Sequence, residues 1–195
     1  MSYRYTAEEG RLLLALARQV VAEKLGLADA EAGMADDCFS APCFHESRGV
    51  FVTLHQRSDH ALRGCIGSIV TEKPVVEGVR ENAGNAAFRD PRFAAVDAVE
   101  LEGLCFEVSI LSEPEKQGNF RGQALLDRIR PGTDGVMIRT RGKGATFLPQ
   151  VWAQLPEPRL FISQLCLKAG LAMDAWQTTA LTLYTYQVQS FEEEG

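Results

Sequence analysis

Near the start of the chain, Leu12, Leu13, Leu16, Val20, Val21 and Leu25 recur close to helical spacing. The run Thr6-Ala7-Glu8-Glu9 stands just before them as a capping box, with the Thr6 hydroxyl placed to accept an orphan amide and Glu9 placed to reach back. Gly26 follows as a stop, so the pattern predicts a core-facing first helix. Residues 28–37 are acidic and rich in alanine, with Met34 as their one large apolar side chain, and read as a surface loop or a short helix. The β-branched and aromatic run over 50–54 predicts a strand, 56–59 a polar turn, and 61–70 a second strand of the same hairpin. Gly64 and Gly67 within that second strand call for a bulge or for something that approaches closely.

Pro74 opens a helix whose apolar face is Val75, Val76, Val79 and Ala83, running to about Asn82 and continued or restarted over 85–88. Pro91 ends it. Residues 104–111 alternate as a strand, 114–118 read as a turn, and 124–129 as a short helix stopped by Pro131-Gly132. A strand over 135–139, a tight turn at 141–144 and a return over 145–148 follow. Pro149 and Pro158 each suit a helix start, and Gly170 suits a stop. Residues 181–188 alternate as a long last strand, expected to return to the early hairpin so that both chain ends share one sheet. The acidic tail from Glu192 reads as solvated. Hairpin-linked strands without strict strand–helix alternation predict an α+β fold, mostly antiparallel sheet flanked by helices.

The 195 residues suit one large domain, or one domain with a lobe built on it. A net charge of -6 argues against broad binding to nucleic acid or to an anionic membrane. No apolar run approaches the roughly eighteen residues of a membrane span, and the start of the chain does not read as a signal peptide. The five cysteines are scattered and include no C-x-x-C pair, which disfavours a disulfide framework and a standard zinc site and fits a reducing cytoplasm. Cys43 and His45 would share a strand face, but two ligands do not make a metal site; no metal and no cofactor are expected.

Candidate chemistry concentrates in Leu62-Arg63-Gly64-Cys65-Ile66-Gly67. Strand parity puts Arg63 and Cys65 on one face and Leu62 with Ile66 on the other. Arg63 is then positioned to favour a Cys65 thiolate, while Gly64 and Gly67 leave amides open to a ligand. The competing reading makes Cys65 a small buried hydrophobe. Arg63, Arg89 and Arg92 would converge on an anion, or else Arg89 and Arg92 pair with Asp90 or Glu81. His60 reads as a turn histidine, Arg139, Arg141 and Lys143 as a solvated hairpin tip, and Trp152 with Phe147 and Pro149 as cleft wall or core. Thr146 is the polar residue there placed to donate toward the motif.

That motif, with Asp90-Pro91-Arg92-Phe93, Glu107-Val108-Ser109-Ile110-Leu111-Ser112, Asp134-Gly135-Val136, Thr146-Phe147-Leu148-Pro149-Gln150-Val151-Trp152, Lys168-Ala169-Gly170-Leu171 and Trp176, resembles the AMMECR domain family, whose prokaryotic members are called AmmeMemoRadiSam system protein A. The blocks span roughly residues 8 to 188 in the family's order. The resemblance implies a larger lobe holding both chain ends, a smaller lobe inserted roughly within 72–135, and a cleft beside the motif. It also implies association with a Memo-like protein and a radical SAM protein, and brings no established reaction. Ala153 stands where many relatives carry glutamate. Two functional readings follow. In one, Cys65 and Arg63 act on a small anionic or nucleotide-like ligand, helped by Gly64, Gly67, Arg92 and Thr146. In the other, the motif is the docking surface of a non-catalytic adaptor.

Overall fold

A computed structural model describes residues 4–27 and 36–194. The chain divides into two compact units, one made of Met1–Leu111 with Gln189–Gly195 and the other of Ser112–Val188. Each holds one four-stranded sheet: β2 (Leu62–Ser68), β1 (Val50–Gln56), β3 (Leu104–Leu111) and β8 (Val188–Glu192) in that order, and β4 (Glu115–Phe120), β7 (Leu181–Tyr186), β5 (Gly135–Thr140) and β6 (Lys143–Phe147).

In the first unit, α1 (Ala7–Lys24) begins at the expected capping box: the Glu9 amide donates to Thr6 Oγ1 at 3.2 Å and the Thr6 amide to Glu9 Oε2 at 2.7 Å. Its apolar face, including Leu13, Leu16, Ala17 and Val21, is fully buried. The hairpin consists of β1 (Val50–Gln56) and β2 (Leu62–Ser68), and β1 also pairs antiparallel with β3 (Leu104–Leu111). Val50, Val52 and Leu54 of β1 and Leu104, Phe106, Val108 and Ile110 of β3 meet α1 and α2 (Val75–Phe88) in one core. Each such side chain contributes about 1.5–3 kcal/mol relative to exposure. Pro91 ends α2 close to where the pattern places its end, with Phe88 the last helical residue.

The second unit is built on β4 (Glu115–Phe120), β5 (Gly135–Thr140), β6 (Lys143–Phe147) and β7 (Leu181–Tyr186). α3 (Gln123–Leu126), α4 (Pro158–Lys168) and α5 (Ala175–Thr178) accompany them. Trp152 lies in its core, stacked on Phe161 at 3.6 Å between ring centroids and donating from Nε1 to the Asp134 carbonyl.

Four expectations change. The strand over 181–188 does not return to the early hairpin; it breaks at Gln187, β7 stays in the second sheet, and a short β8 (Val188–Glu192) joins β3. The tail is therefore not simply solvated. Arg18 on α1 forks onto the Glu193 carboxylate at 2.6 and 2.5 Å, and the Glu193 amide donates to the Phe106 carbonyl. The stretch read as a turn at 114–118 is strand β4, whose polar sequence is held by its ladder to β7, with a register shift between Lys116 and Gly118. Cys43 and His45 lie on a single 3-10 turn, Pro42–His45, not on a strand. Of the loop read over 28–37, residues 28–35 lie outside the described residues, and 36–39 form a 3-10 turn.

Gly64 sits where β2 passes α2: a Cβ there would stand 2.3 Å from the Ala86 carbonyl oxygen, a backbone atom that cannot step aside. Gly64→Ala is expected to lower stability by about 3 kcal/mol, the upper end of overpacking costs. Gly103→Ala, with nothing within 4 Å, should change it by less than about 1 kcal/mol. Urea denaturation of the two variants side by side checks the contrast.

Candidate functional site

Around the motif the ladder runs Val52↔Ile66, Thr53↔Cys65 and Leu54↔Gly64, and then slips so that His55 faces Leu62. Arg63 is the extra residue of a β-bulge. The slip corrects the parity expectation. Ile66 keeps the core face opposite Val52, whereas Leu62 crosses to the face of Cys65 and is 40% exposed. Arg63 and Gly64 are buried in succession, which regular alternation does not allow.

The bulge sends Arg63 to Glu100. Nε and Nη2 donate to the two carboxylate oxygens at 3.0 and 2.9 Å, and the guanidinium lies 5.9 Å from the Phe93 ring centroid. These hydrogen bonds hold the Glu100 carboxyl below its ordinary value against the opposing effect of burial. Nη1 of Arg63 is buried and has no hydrogen-bond partner among the described residues. The fork that would clamp an anion already holds a carboxylate.

Cys65 is half-buried, its Sγ accepting from Thr53 Oγ1 at 3.3 Å. Its amide donates to Asp90 Oδ2 at 2.9 Å. Asp90 is the centre of this edge. Arg92 forks onto it through Nε and Nη2 at 2.9 and 2.6 Å, adds its own amide at 3.1 Å, and extends Nη2 to the Cys65 carbonyl at 3.3 Å. The Arg92 side-chain bonds, then the amides of Cys65 and Arg92, hold the buried Asp90 carboxyl far below the usual carboxylate range. Arg92 also lies 5.4 Å from the Phe93 centroid, so two guanidiniums flank one ring. Arg89 does not join them; it lines a cavity along α2.

The glycines have packing reasons. Gly64 admits the α2 backbone, and at Gly67 a Cβ would stand 2.3 Å from the Phe51 ring. Thr146 belongs to the second unit, where its hydroxyl bonds the Val136 carbonyl at 3.0 Å and Tyr186 Oη at 2.8 Å. Burial pushes the Tyr186 phenol up to about 12.

Sequence reading missed Glu100, Thr53, Glu107 and His55. On the Cys65 face of the sheet, Glu107 pairs with Thr53, accepts from the Ser109 hydroxyl at 2.8 Å, and stands 3.5 Å from His55 Nε2. The alternation in β1 and β3 was the signal for this row. For Glu100, at the N-cap of a 3-10 turn remote in sequence, there was none.

A family model described as AMMECR1 matches residues 14–191, and the chain belongs to that family. It is 37% identical over 203 residues to a protein of Thermofilum pendens, covering 97% of this chain and 92% of that one. A protein of Methanopyrus kandleri is 36% identical over 201 residues, covering 100% and 93%. The crystal structure of an uncharacterized protein from Pyrococcus horikoshii superposes with a TM-score of 0.77 at 32% identity, covering 95% of this chain and 91% of that one.

Because the folded Asp90 value is depressed, its contribution is full above the unfolded value of about 3.9 and is lost as pH falls through the folded value. Asp90→Asn should be about 2 kcal/mol less stable than wild type at pH 7, with the gap closing below about pH 4. Paired denaturation curves across pH 2–7 (roughly, the span around the carboxylate range) test this.

Cys105 and Cys166 are buried, and burial raises both thiols. Iodoacetamide followed by peptide mass mapping should therefore modify Cys65 on the order of tenfold faster than either. Equal rates would remove any nucleophile role for Cys65.

Proposed function

We propose that the chain binds a small anionic ligand, of phosphate or nucleoside-monophosphate type, in the groove between β2 and α2. The supporting observation is a local reversal of charge. A cavity of about 180 Å³ beside Ile66 and Ser68 of β2 is also lined by Arg48, Lys73 and Asn82. A wider one of about 430 Å³ along α2 is lined by Lys24, Arg80, Phe88 and Arg89. Glu81 and Asn85 line both, so the two adjoin along the helix. Five cationic side chains thus meet one carboxylate, in a chain of net charge -6. Glu81 is itself paired with Lys73, Arg48 with Glu46, and Arg80 is engaged as well, so the surplus rests on Lys24 and Arg89.

Such a surplus favours an anion even after screening by salt. The half-buried Phe88 ring gives the wide cavity an apolar wall suited to a planar group. The motif strand β2 is then one wall of the groove, and the reading rests on charge rather than on thiol chemistry. Cys65 lies on the opposite face of the strand from Ile66, and Arg63 is engaged by Glu100.

Calorimetric titration with inorganic phosphate and with AMP should give saturable binding that weakens with added salt. Lys73→Ala combined with Arg89→Ala, both exposed positions, should weaken it at least about tenfold. Absence of binding, or equal binding by the double variant, overturns the reading.

A further inference from the structure

A second cluster stands apart from the groove, at the turn end of the β1–β2 hairpin. The turn after β1 is closed by the Gln56 amide donating to the Ala61 carbonyl and the His60 amide donating to Gln56, each at 2.8 Å. Asp59 Oδ1 accepts the Ala61 amide at 3.0 Å. His60 adopts φ 59, a left-handed conformation uncommon for a residue with a side chain. That conformation accompanies a fold-back of its ring onto His55, with centroids 4.3 Å apart and planes at 38°. β8 supplies the third group: Glu192 Oε1 lies 2.6 Å from His60 Nε2. One ring nitrogen of each histidine and one Glu192 oxygen all lie within 4.8 Å of one another.

We propose that His55, His60 and Glu192 bind a divalent transition-metal ion of the zinc class. The donor set is two imidazoles and a carboxylate, which suits such ions better than calcium or magnesium. A tetrahedral ion at ordinary bond lengths holds its ligands roughly 3.4 Å apart. His60 and Glu192 side chains are 63% and 39% exposed and can close the remaining gap by rotation.

His55 is the anchored member. Its side chain is 15% exposed, Nδ1 lies 3.3 Å from the His60 carbonyl, and Nε2 is buried without a hydrogen-bond partner among the described residues. Glu107 Oε2 stands 3.5 Å from that Nε2, in the place of the outer carboxylate that orients a ligating imidazole. With its N–H on Nε2 toward Glu107, the neutral ring keeps the Nδ1 lone pair for an ion on the His60 side. Cys105 is the Cα partner of His55 across β1 and β3, and its Sγ is 3.7 Å from Glu192 Oε1, which places a soft donor at the rim. Three protein ligands leave a coordination position open to solvent.

Titration of the tag-free full chain with zinc chloride in a non-chelating buffer should show one ion bound per chain. His60→Ala and Glu192→Gln should each weaken binding at least tenfold while leaving the metal-free melting curve close to wild type, and His45→Ala should leave binding unchanged. Wild-type affinity no greater than that of the His60→Ala, Glu192→Gln double variant overturns the proposal. So does zinc binding that is lost on Cys38→Ser but kept in that double variant.

Discussion

Backbone meets backbone where β2 passes α2, and the first unit is arranged around that approach. Ala86 can bring its carbonyl onto the strand because residue 64 has no side chain. With the helix held so close, its end delivers Asp90 to the Cys65 amide, and Pro91 turns the chain so that Arg92 closes on the same carboxylate. The Val96 amide then returns to the Ala87 carbonyl, and Glu100 meets Arg63. One missing Cβ thus fixes a helix, an ion pair and a loop, and it sets which motif atoms are committed to structure.

The elements whose signals are local were legible in sequence. The capping box at Thr6 and Glu9 forms as the spacing requires, and the alternation over 104–111 and the proline and glycine boundaries of α2 and α4 hold. The AMMECR1 relationship was legible from short blocks spread over most of the chain. What failed was whatever depends on a distant partner. Parity at Arg63 and Cys65 assumed an unbroken ladder, and the bulge is set by Glu100, far along the chain. The strand at 115–120 carries no apolar alternation because its ladder to β7, rather than a buried face, holds it.

The candidate site divides in the same way. Cys65, Arg92 and Asp90 were visible as neighbours in short motifs and do meet. Arg89 and Arg63 were grouped with Arg92 on charge alone, yet helix geometry turns Arg89 along α2 and the bulge turns Arg63 inward. The basic groove could not be read in advance. Lys24, Arg48, Lys73 and Arg80 are scattered in sequence, and only the packing of α2 on the hairpin and on α1 gathers them.

Arg18 and Glu193 tie the first helix to the end of the last strand, and that closure has a bearing on synthesis. The first unit is discontinuous: residues 112–188 are made before its fourth strand exists. Until then β3 is an open edge, with unpaired amides and carbonyls beside an already apolar core, the kind of edge that recruits another chain. A nascent chain must therefore carry this exposed edge through the whole production of the second unit. The Arg18–Glu193 fork is the latch that ends the exposure.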